Sequence, residues 1–450
     1  MPILGSPPVS PYLASSDRPP HPALPRTARV EADGVLSLGG VRVTDLTRQY
    51  GTPCYVYDVA TIEAAASTLV TTLGSRGRAH YAGKAYLAPW LLARLLQWDM
   101  DLDACSGTEL ALALRAGFPP ERIRLHGNNK SDEALALALD HDIGAIVVDN
   151  LDELRRLIAL AEGAGRSASV VLRLNPGVDA HTHQYLQTGI ASSKFGIPLS
   201  GPLAREAVEL ALAHPREISL LGYHAHIGTQ VRDTEPYVRL IEILIEFARD
   251  IESARGFWPS QISPGGGPGI TYTDETALPL VAWLASLLAV LDRLPADRQP
   301  SLHVEPGRSV IGPAGVTLYT VGATKHMGGG RTYVLIDGGM ADNIRPALYQ
   351  AVYSALPATR MYDSPTASMS VAGPFCVSGD VLIQDAALPD PRPGDLLAVP
   401  ATGAYCLPMS SNYNGALRPA VITVEAGTAR LVQRRQTLDD LLSVDVNEAG

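Results

Sequence analysis

Between residues 78 and 305, short apolar runs alternate with longer stretches of helical spacing. The apolar runs fall near 78–83, 100–104, 122–126, 144–149, 169–174, 218–225, 260–264 and 301–305. Runs this short, bounded by Gly, Pro or polar residues, predict buried strands. The stretches between them, near 87–97, 107–116, 131–140, 151–163, 201–213, 235–254 and 276–293, predict helices, and another helical run, Val59 to Leu73, precedes the first strand. Strands alternating with helices predict a parallel sheet with right-handed crossovers. Eight such units over about 250 residues are what a (β/α)₈ barrel of the α/β class requires. An open doubly wound sheet shares this rhythm and is the alternative.

The rhythm changes after Glu305. VTLYTV, TYVLID, MSVAG, DVLIQ, DLLAVP, AVITVE and ARLVQ are short β-like runs separated by Pro and Gly. They predict a mainly β domain over 311–450. A strand near 35–43, within 29–54, is expected to join it, which makes the barrel (55–310) an insertion. Residues 1–28 are rich in Pro and Ser and are expected to form a mobile tail.

Composition narrows the function classes. Lys plus Arg is 36 against 46 Asp plus Glu, a formal charge of -10, which argues against nucleic acid as a partner. Cys54, Cys105, Cys376 and Cys406 form no CxxC pair, and four cysteines in 450 residues suit a reducing compartment. No apolar run approaches the roughly 20 residues of a membrane span. No signal peptide is read at the N-terminus. The expectation is a cytoplasmic protein without a membrane partner.

In a barrel, chemistry sits at the C-terminal strand ends. Here those ends read Tyr81-Ala-Gly-Lys84, Asp103-Ala-Cys-Ser106, His126-Gly-Asn-Asn-Lys130, Arg173 running into Asn175-Pro-Gly, His224-Ala-His226-Ile-Gly-Thr229, Pro264-Gly265-Gly266-Gly267 and Glu305-Pro-Gly307-Arg308. Ser106 and Glu109 fit a capping box. The glycine triplet is either a tight turn or a phosphate cradle, since backbone N–H groups without side chains can approach an anion. His224-x-His226 invites a metal reading, but zinc needs further ligands. No clustered set is evident in the sequence, so no metal is expected.

These residues carry a family resemblance. YAGKA (81–85), DACSGTEL (103–110), HGNNKS (126–131), NPGVDAHTH (175–183), SKFG (193–196), HIGTQ (226–230), GGG (265–267), EPGRS (305–309), DGGMADNIRPALY (337–349), CVSGD (376–380), TGAYC (402–406) and SSNYN (410–414) resemble diaminopimelate decarboxylase, in the alanine-racemase-like group of pyridoxal-phosphate enzymes. The resemblance runs from about residue 50 to 425 and implies a barrel plus a β domain.

It also implies roles. Lys84 holds pyridoxal 5'-phosphate covalently through its amine. Gly265, Gly266, Gly267, Gly307 and Arg308 lie around the cofactor, Thr229 joins them, and Glu305 faces the pyridine nitrogen. His226 stacks on the ring, and Asp103 and Arg173 are cofactor-side groups. Arg308, Arg345 and Tyr349 bind the substrate's distal carboxylate, which suits arginine's planar fork. Tyr405 touches cofactor and substrate. Cys376 returns a proton to the carbon that loses CO₂, a role open to a thiol of ordinary pKa about 8.5. The resemblance further implies a homodimer in which the Cys376 segment reaches the partner's barrel.

Two positions depart from the family pattern. Val377 stands where Cys-Glu-Ser-Gly-Asp places a glutamate that holds the substrate's distal amino-bearing centre. Ser263-Pro264 replaces an acidic and an apolar residue. The expected reaction is decarboxylation of meso-2,6-diaminopimelate to L-lysine. A decarboxylase for another amino acid or carboxylated amine is the alternative. A racemase and a non-catalytic cofactor-binding homologue fit the residues less well.

Overall fold

A computed structural model describes residues 19–177 and 193–446. The motif segment NPGVDAHTH therefore lies largely outside the described residues. The described residues fall into two units. One comprises those of Met1–Glu63, Thr271–Glu275 and Ile311–Gly450, the other those of Ala64–Ile270 and Thr276–Val310.

The β unit begins with β1 (Arg29–Val30), β2 (Leu36–Leu38) and β3 (Val41–Arg42), a small antiparallel sheet of their own. The strand expected near 35–43 is thus present but does not extend the large sheet. β4 (Cys54–Asp58) does, pairing with C-terminal strands. The expected domain boundary at 54/55 cuts this strand and is corrected to follow Glu63. The expected tail also shortens. Leu24 and Ala28 are buried in the core with Leu36, Val56, Val316 and Ile422, and Arg26 N donates to Thr61 Oγ1 at 3.0 Å. Apolar residues spaced four apart anchor a segment whose Pro-rich composition suggested disorder.

The second unit is a barrel. Its strands are β5 (Gly77–Ala82), β6 (Asp101–Ala104), β7 (Ile123–Leu125), β8 (Ala145–Val148), β9 (Ala168–Asn175), β11 (Ile218–His224), β12 (Gln261–Gly265) and β13 (Ser301–Val304), with β10 (Ile197–Pro198) a short addition beside β9. All neighbours are parallel, and the β8–β9 and β13–β5 pairings close the ring. Helices follow the strands because cap residues stand where each turn ends. Ser106, Ser131 and Asn150 each accept the backbone N–H three residues on. The second half of the expected capping box is displaced by one residue: Glu109 Oε2 accepts from Cys105 N at 2.6 Å.

The chain then returns to the β unit with β14 (Gly315–His326), β15 (Thr332–Ile336), β16 (Leu356–Pro357), β17 (Ala367–Ala372), β18 (Val381–Leu388), β19 (Leu396–Pro400), β20 (Ala420–Glu425) and β21 (Thr428–Gln433). The main sheet runs β18-β17-β15-β14-β4-β20-β21. Among the described residues, no helix is long and apolar enough to cross a membrane.

Candidate active site

Successive residues of a strand face opposite sides. In this barrel Tyr81, Leu102, Ile123, Leu125, Ile262, Leu302 and Val304 are buried apolar residues. Between them, at the alternate positions, lie His80, Asp101, Asp103, Arg124, His126, Gln261, Ser263, His303 and Glu305, which meet one another in a shared polar network. Barrel interiors are usually filled by branched apolar side chains. A polar interior of this extent makes these strand ends the candidate site.

Glu305, just beyond β13, is its focus. His224 Nε2 donates to Glu305 Oε2 at 2.8 Å, and Ser263 Oγ donates to Oε1 at 2.8 Å. His126 Nε2 lies 3.7 Å from Oε1. Burial works against a charge here, but the His224 and His126 rings, the His224 hydrogen bond and the Arg124 guanidinium outweigh it and hold Glu305 well below the usual carboxylate range. Burial pushes the imidazoles the other way, His126 down to about 3 and His224 to about 4. The site is therefore an ionised carboxylate held by neutral donors. Ser263 gives Glu305 a hydroxyl donor, which an ionised carboxylate at that position could not supply.

His126, His224 and Glu305 place candidate ligand atoms within 4.8 Å of one another, the clustering that the sequence did not reveal. Both oxygens of Glu305 already accept hydrogen bonds, so we read the cluster as support for the carboxylate.

Lys84 lies in the single turn after β5, and its charge acts on Asp103, Cys105, Glu109 and His226. The chain has four lysines, Lys84, Lys130, Lys194 and Lys325. Lys130 is buried and locked, donating to Glu153 Oε1 at 2.7 Å, Val147 O at 2.6 Å and Gly127 O at 2.8 Å. Lys194 lies over the Phe195 ring, and Lys325 is on β14 in the other unit. Of the barrel lysines, Lys84 is the one whose charge acts on Asp103, Cys105, Glu109 and His226.

The glycines of this rim have a packing role. A Cβ on Gly266 would lie 1.9 Å from Glu305 O, and one on Gly267 would lie 2.0 Å from Gly228 O. On Gly265 it would meet His226 Nδ1 at 2.6 Å, and on Gly307 it would crowd Ala82. Backbones from three strand ends thus touch, leaving peptide groups rather than side chains at the rim. Arg308 Nε donates to Thr229 Oγ1 at 3.3 Å, which joins two expected site residues. Arg173 Nη1 lies 3.6 Å from Asp149 Oδ1, and its guanidinium sits 4.6 Å above Phe195.

The β unit holds a second constellation. Arg345 is buried, and its Nη1 donates to Tyr272 OH at 2.9 Å and to Tyr353 OH. The guanidinium carbon lies 5.0 and 5.5 Å from those two ring centres. Tyr353 OH is in turn 3.5 Å from Cys406 Sγ. Among the described residues Arg345 forms no ion pair, so a buried cation is held by neutral hydroxyls. Tyr349 ends the helix Arg345–Tyr349 and is half-buried. Tyr405 has a positive φ of 63° in the turn before Cys406.

Cys376 and Val377 are exposed in the loop after β17. The loop is fixed at both ends. Cys376 N donates to Asn414 Oδ1 at 3.0 Å, and Asp380 accepts from Phe375 N at 2.9 Å and Met340 N at 2.7 Å. A Cβ on Gly339 or Gly373 would lie 2.3 Å from the Asp380 carboxylate. Asp380, Tyr272, Tyr353, Ser263, His126 and His224 were not assigned roles from sequence.

Residues 59–312 match the family model for the pyridoxal binding domain of pyridoxal-dependent decarboxylases. The diaminopimelate decarboxylase of Bacillus subtilis (strain 168) is 44% identical over 428 residues, 93% of this chain and 97% of that protein. The chain belongs to the diaminopimelate decarboxylase family.

Other members agree. The diaminopimelate decarboxylase of Mycobacterium tuberculosis (strain ATCC 25618 / H37Rv) is 41% identical over 437 residues, 94% of this chain and 97% of that one. The crystal structure of diaminopimelate decarboxylase from M. jannaschii in complex with L-lysine superposes with a TM-score of 0.87 at 28% identity, covering 94% of this chain and 98% of that one. The Helicobacter pylori diaminopimelate decarboxylase complexed with L-lysine gives 0.82 at 30%, covering 89% and 98%. The residues that match the family model, 59–312, include the whole barrel and its polar interior.

Proposed function

We propose that this chain decarboxylates meso-2,6-diaminopimelate to L-lysine and CO₂ with pyridoxal 5'-phosphate held on Lys84. The observation that carries the reading is two charges kept in spite of burial, an anionic Glu305 at the barrel's strand ends and, in the β unit, a cationic Arg345 that forms no ion pair among the described residues. Pyridoxal phosphate, when bound, accepts the electron pair released with CO₂. Glu305 is the group to hold a proton at the pyridine nitrogen, because a buried carboxylate fixed by two donors favours a cation beside it. His226 would lie against the ring of the bound cofactor, with Asp103 and Arg173 on the cofactor side. Gly265, Gly266, Gly267, Gly307, Arg308 and Thr229 form the phosphate side, where backbone N–H groups and a guanidinium suit an anion.

Arg345, with Arg308 and Tyr349, receives the distal carboxylate. Arg345 can form a two-point contact with it because, among the described residues, no carboxylate pairs with it. Tyr405 orients the substrate. The Cys376 Sγ–H supplies the proton that replaces CO₂. The exposed loop carrying Cys376 suits delivery into the barrel of a second copy, so the working form is a homodimer in the cytoplasm.

Val377 favours a second reading, a related amino acid that keeps the distal carboxylate and lacks the distal amino group. The experiment is CO₂ release from a panel of amino acids, run beside Val377→Glu. Turnover of diaminopimelate supports the first reading. Turnover of another panel member with none from diaminopimelate replaces it with the second.

A further inference from the structure

Within the barrel, a chain of polar groups has its hydrogen-bond directions fixed from one end. Arg124 is buried, and a guanidinium offers only N–H groups. Its Nη2 lies 2.5 Å from His303 Nδ1, so that ring nitrogen is an acceptor. His80 Nε2 lies 2.9 Å from the same His303 Nδ1. Facing an acceptor, His80 Nε2 must carry the proton. A neutral imidazole has one N–H, which leaves a lone pair on His80 Nδ1. That lone pair faces Asp103 Oδ1 at 3.7 Å, and His126 Nε2 is 3.5 Å from the same oxygen. On its other side His126 Nε2 faces Glu305 Oε1 at 3.7 Å.

We propose that Asp103 is a neutral carboxylic acid at neutral pH, presenting its O–H to the His80 Nδ1 lone pair so that Glu305 alone carries the negative charge of this layer. Two buried carboxylates on either side of one imidazole cannot both ionise cheaply. Glu305 has two donors at hydrogen-bond distance, so the proton resides on Asp103. Asp103 is in this respect a positioning residue, acting on Glu305 through His126. The groups facing it are consistent with this. Burial and the Glu305 charge push its carboxyl well above the usual range, with Asp101 adding to them, against the weaker pull of Arg124 and Lys84. His80 is held well below its ordinary value by burial, Arg124 and His303, which keeps it neutral. The proposal concerns the protein whatever its substrate.

The test is infrared difference spectroscopy of the purified full chain against Asp103→Asn at neutral pH. A carboxylic-acid C=O band, sensitive to deuterium exchange, is expected in the wild type and absent from the variant. Stability gives a second reading. An acid raised on folding contributes stability that is complete below its unfolded pKa of about 3.9 and declines as pH rises toward the folded value. Asparagine has no such decline. The Tm of Asp103→Asn relative to wild type therefore climbs by a few degrees between about pH 5 and pH 8. Identical infrared bands, or a Tm difference that is flat or falling, would overturn the proposal. Should the variant fail to fold, nitrogen-15 NMR of the wild-type rings decides. A neutral His80 protonated on Nε2 supports it, and a doubly protonated His80 pairs with an anionic Asp103 and refutes it.

Discussion

Arg345 donates to the Tyr272 hydroxyl at 2.9 Å, across 73 residues of sequence. Tyr272 sits in the five-residue excursion Thr271–Glu275, which leaves the barrel sequence to join the β unit. Glu275 ties that turn by accepting from Tyr272 N at 3.0 Å and Thr273 N at 2.8 Å. The guanidinium is thus aimed by a residue four positions after the glycine triplet's Pro268. Tyr272→Phe removes a hydrogen bond to a charged group, a loss of about 1.5–3 kcal/mol. Steady-state kinetics should show KM for the carboxylate-bearing substrate rising at least about tenfold, with kcat changed less.

Acid should unfold this protein through its barrel interior. His224, at about 4, is held below its ordinary 6.5 first by burial, against the opposing pull of Glu305. The unfolded chain takes up a proton there that the folded chain refuses. The His224 contribution is complete above about pH 6.5 and is lost as pH falls toward 4. Glu305, also depressed on folding, acts in the same direction at lower pH. Thermal melts are expected to fall across that window, and His224→Gln, which retains a donor but does not titrate, should flatten the fall. An equally steep fall in the variant would remove His224 from the account.

Asp380 is the staple of the loop bearing Cys376. Its carboxylate accepts two backbone N–H groups and packs against Gly339 and Gly373. Asp380→Ala leaves both donors without their partner and should cost about 1–3 kcal/mol locally. Proteolysis within 373–380 should accelerate, and turnover should drop, while the barrel's melting transition stays in place. Unaltered proteolysis would show that the loop is held by other contacts.

Val377 is 40% exposed and cannot hydrogen-bond through its side chain. If the substrate's distal ammonium lies here, Val377→Glu adds a charged contact of about 1.5–3 kcal/mol. KM for diaminopimelate should then fall roughly tenfold or more. No change would place the ammonium elsewhere.

Much of this was legible in the sequence because barrel strands are buried on both faces. All eight strands lie within two residues of the apolar runs that predict them. The polar interior was also written there, in Asp101-Leu-Asp103, Arg124-Leu-His126, Gln261-Ile-Ser263 and His303-Val-Glu305. Each is a polar–apolar–polar triplet in, or running off the end of, a strand that should be apolar throughout, the signal that marks His126 and Ser263. What sequence could not supply is which partners meet. His224 and Glu305 are 81 residues apart, and only barrel closure brings them together. Tyr272 was hidden by a similar separation, 73 residues from Arg345. Residues 19–28 depart from the expected tail because two apolar contacts, Leu24 and Ala28, outweigh a proline-rich composition.

The most direct measurement is borohydride reduction of the cofactor-loaded protein followed by peptide mapping. With only four lysines in the chain, the assignment is unambiguous. The account predicts the pyridoxyl mass on the peptide containing Lys84, and neither that adduct nor CO₂ release in Lys84→Ala. An adduct on Lys130, Lys194 or Lys325, or CO₂ release that survives Lys84→Ala, would contradict it.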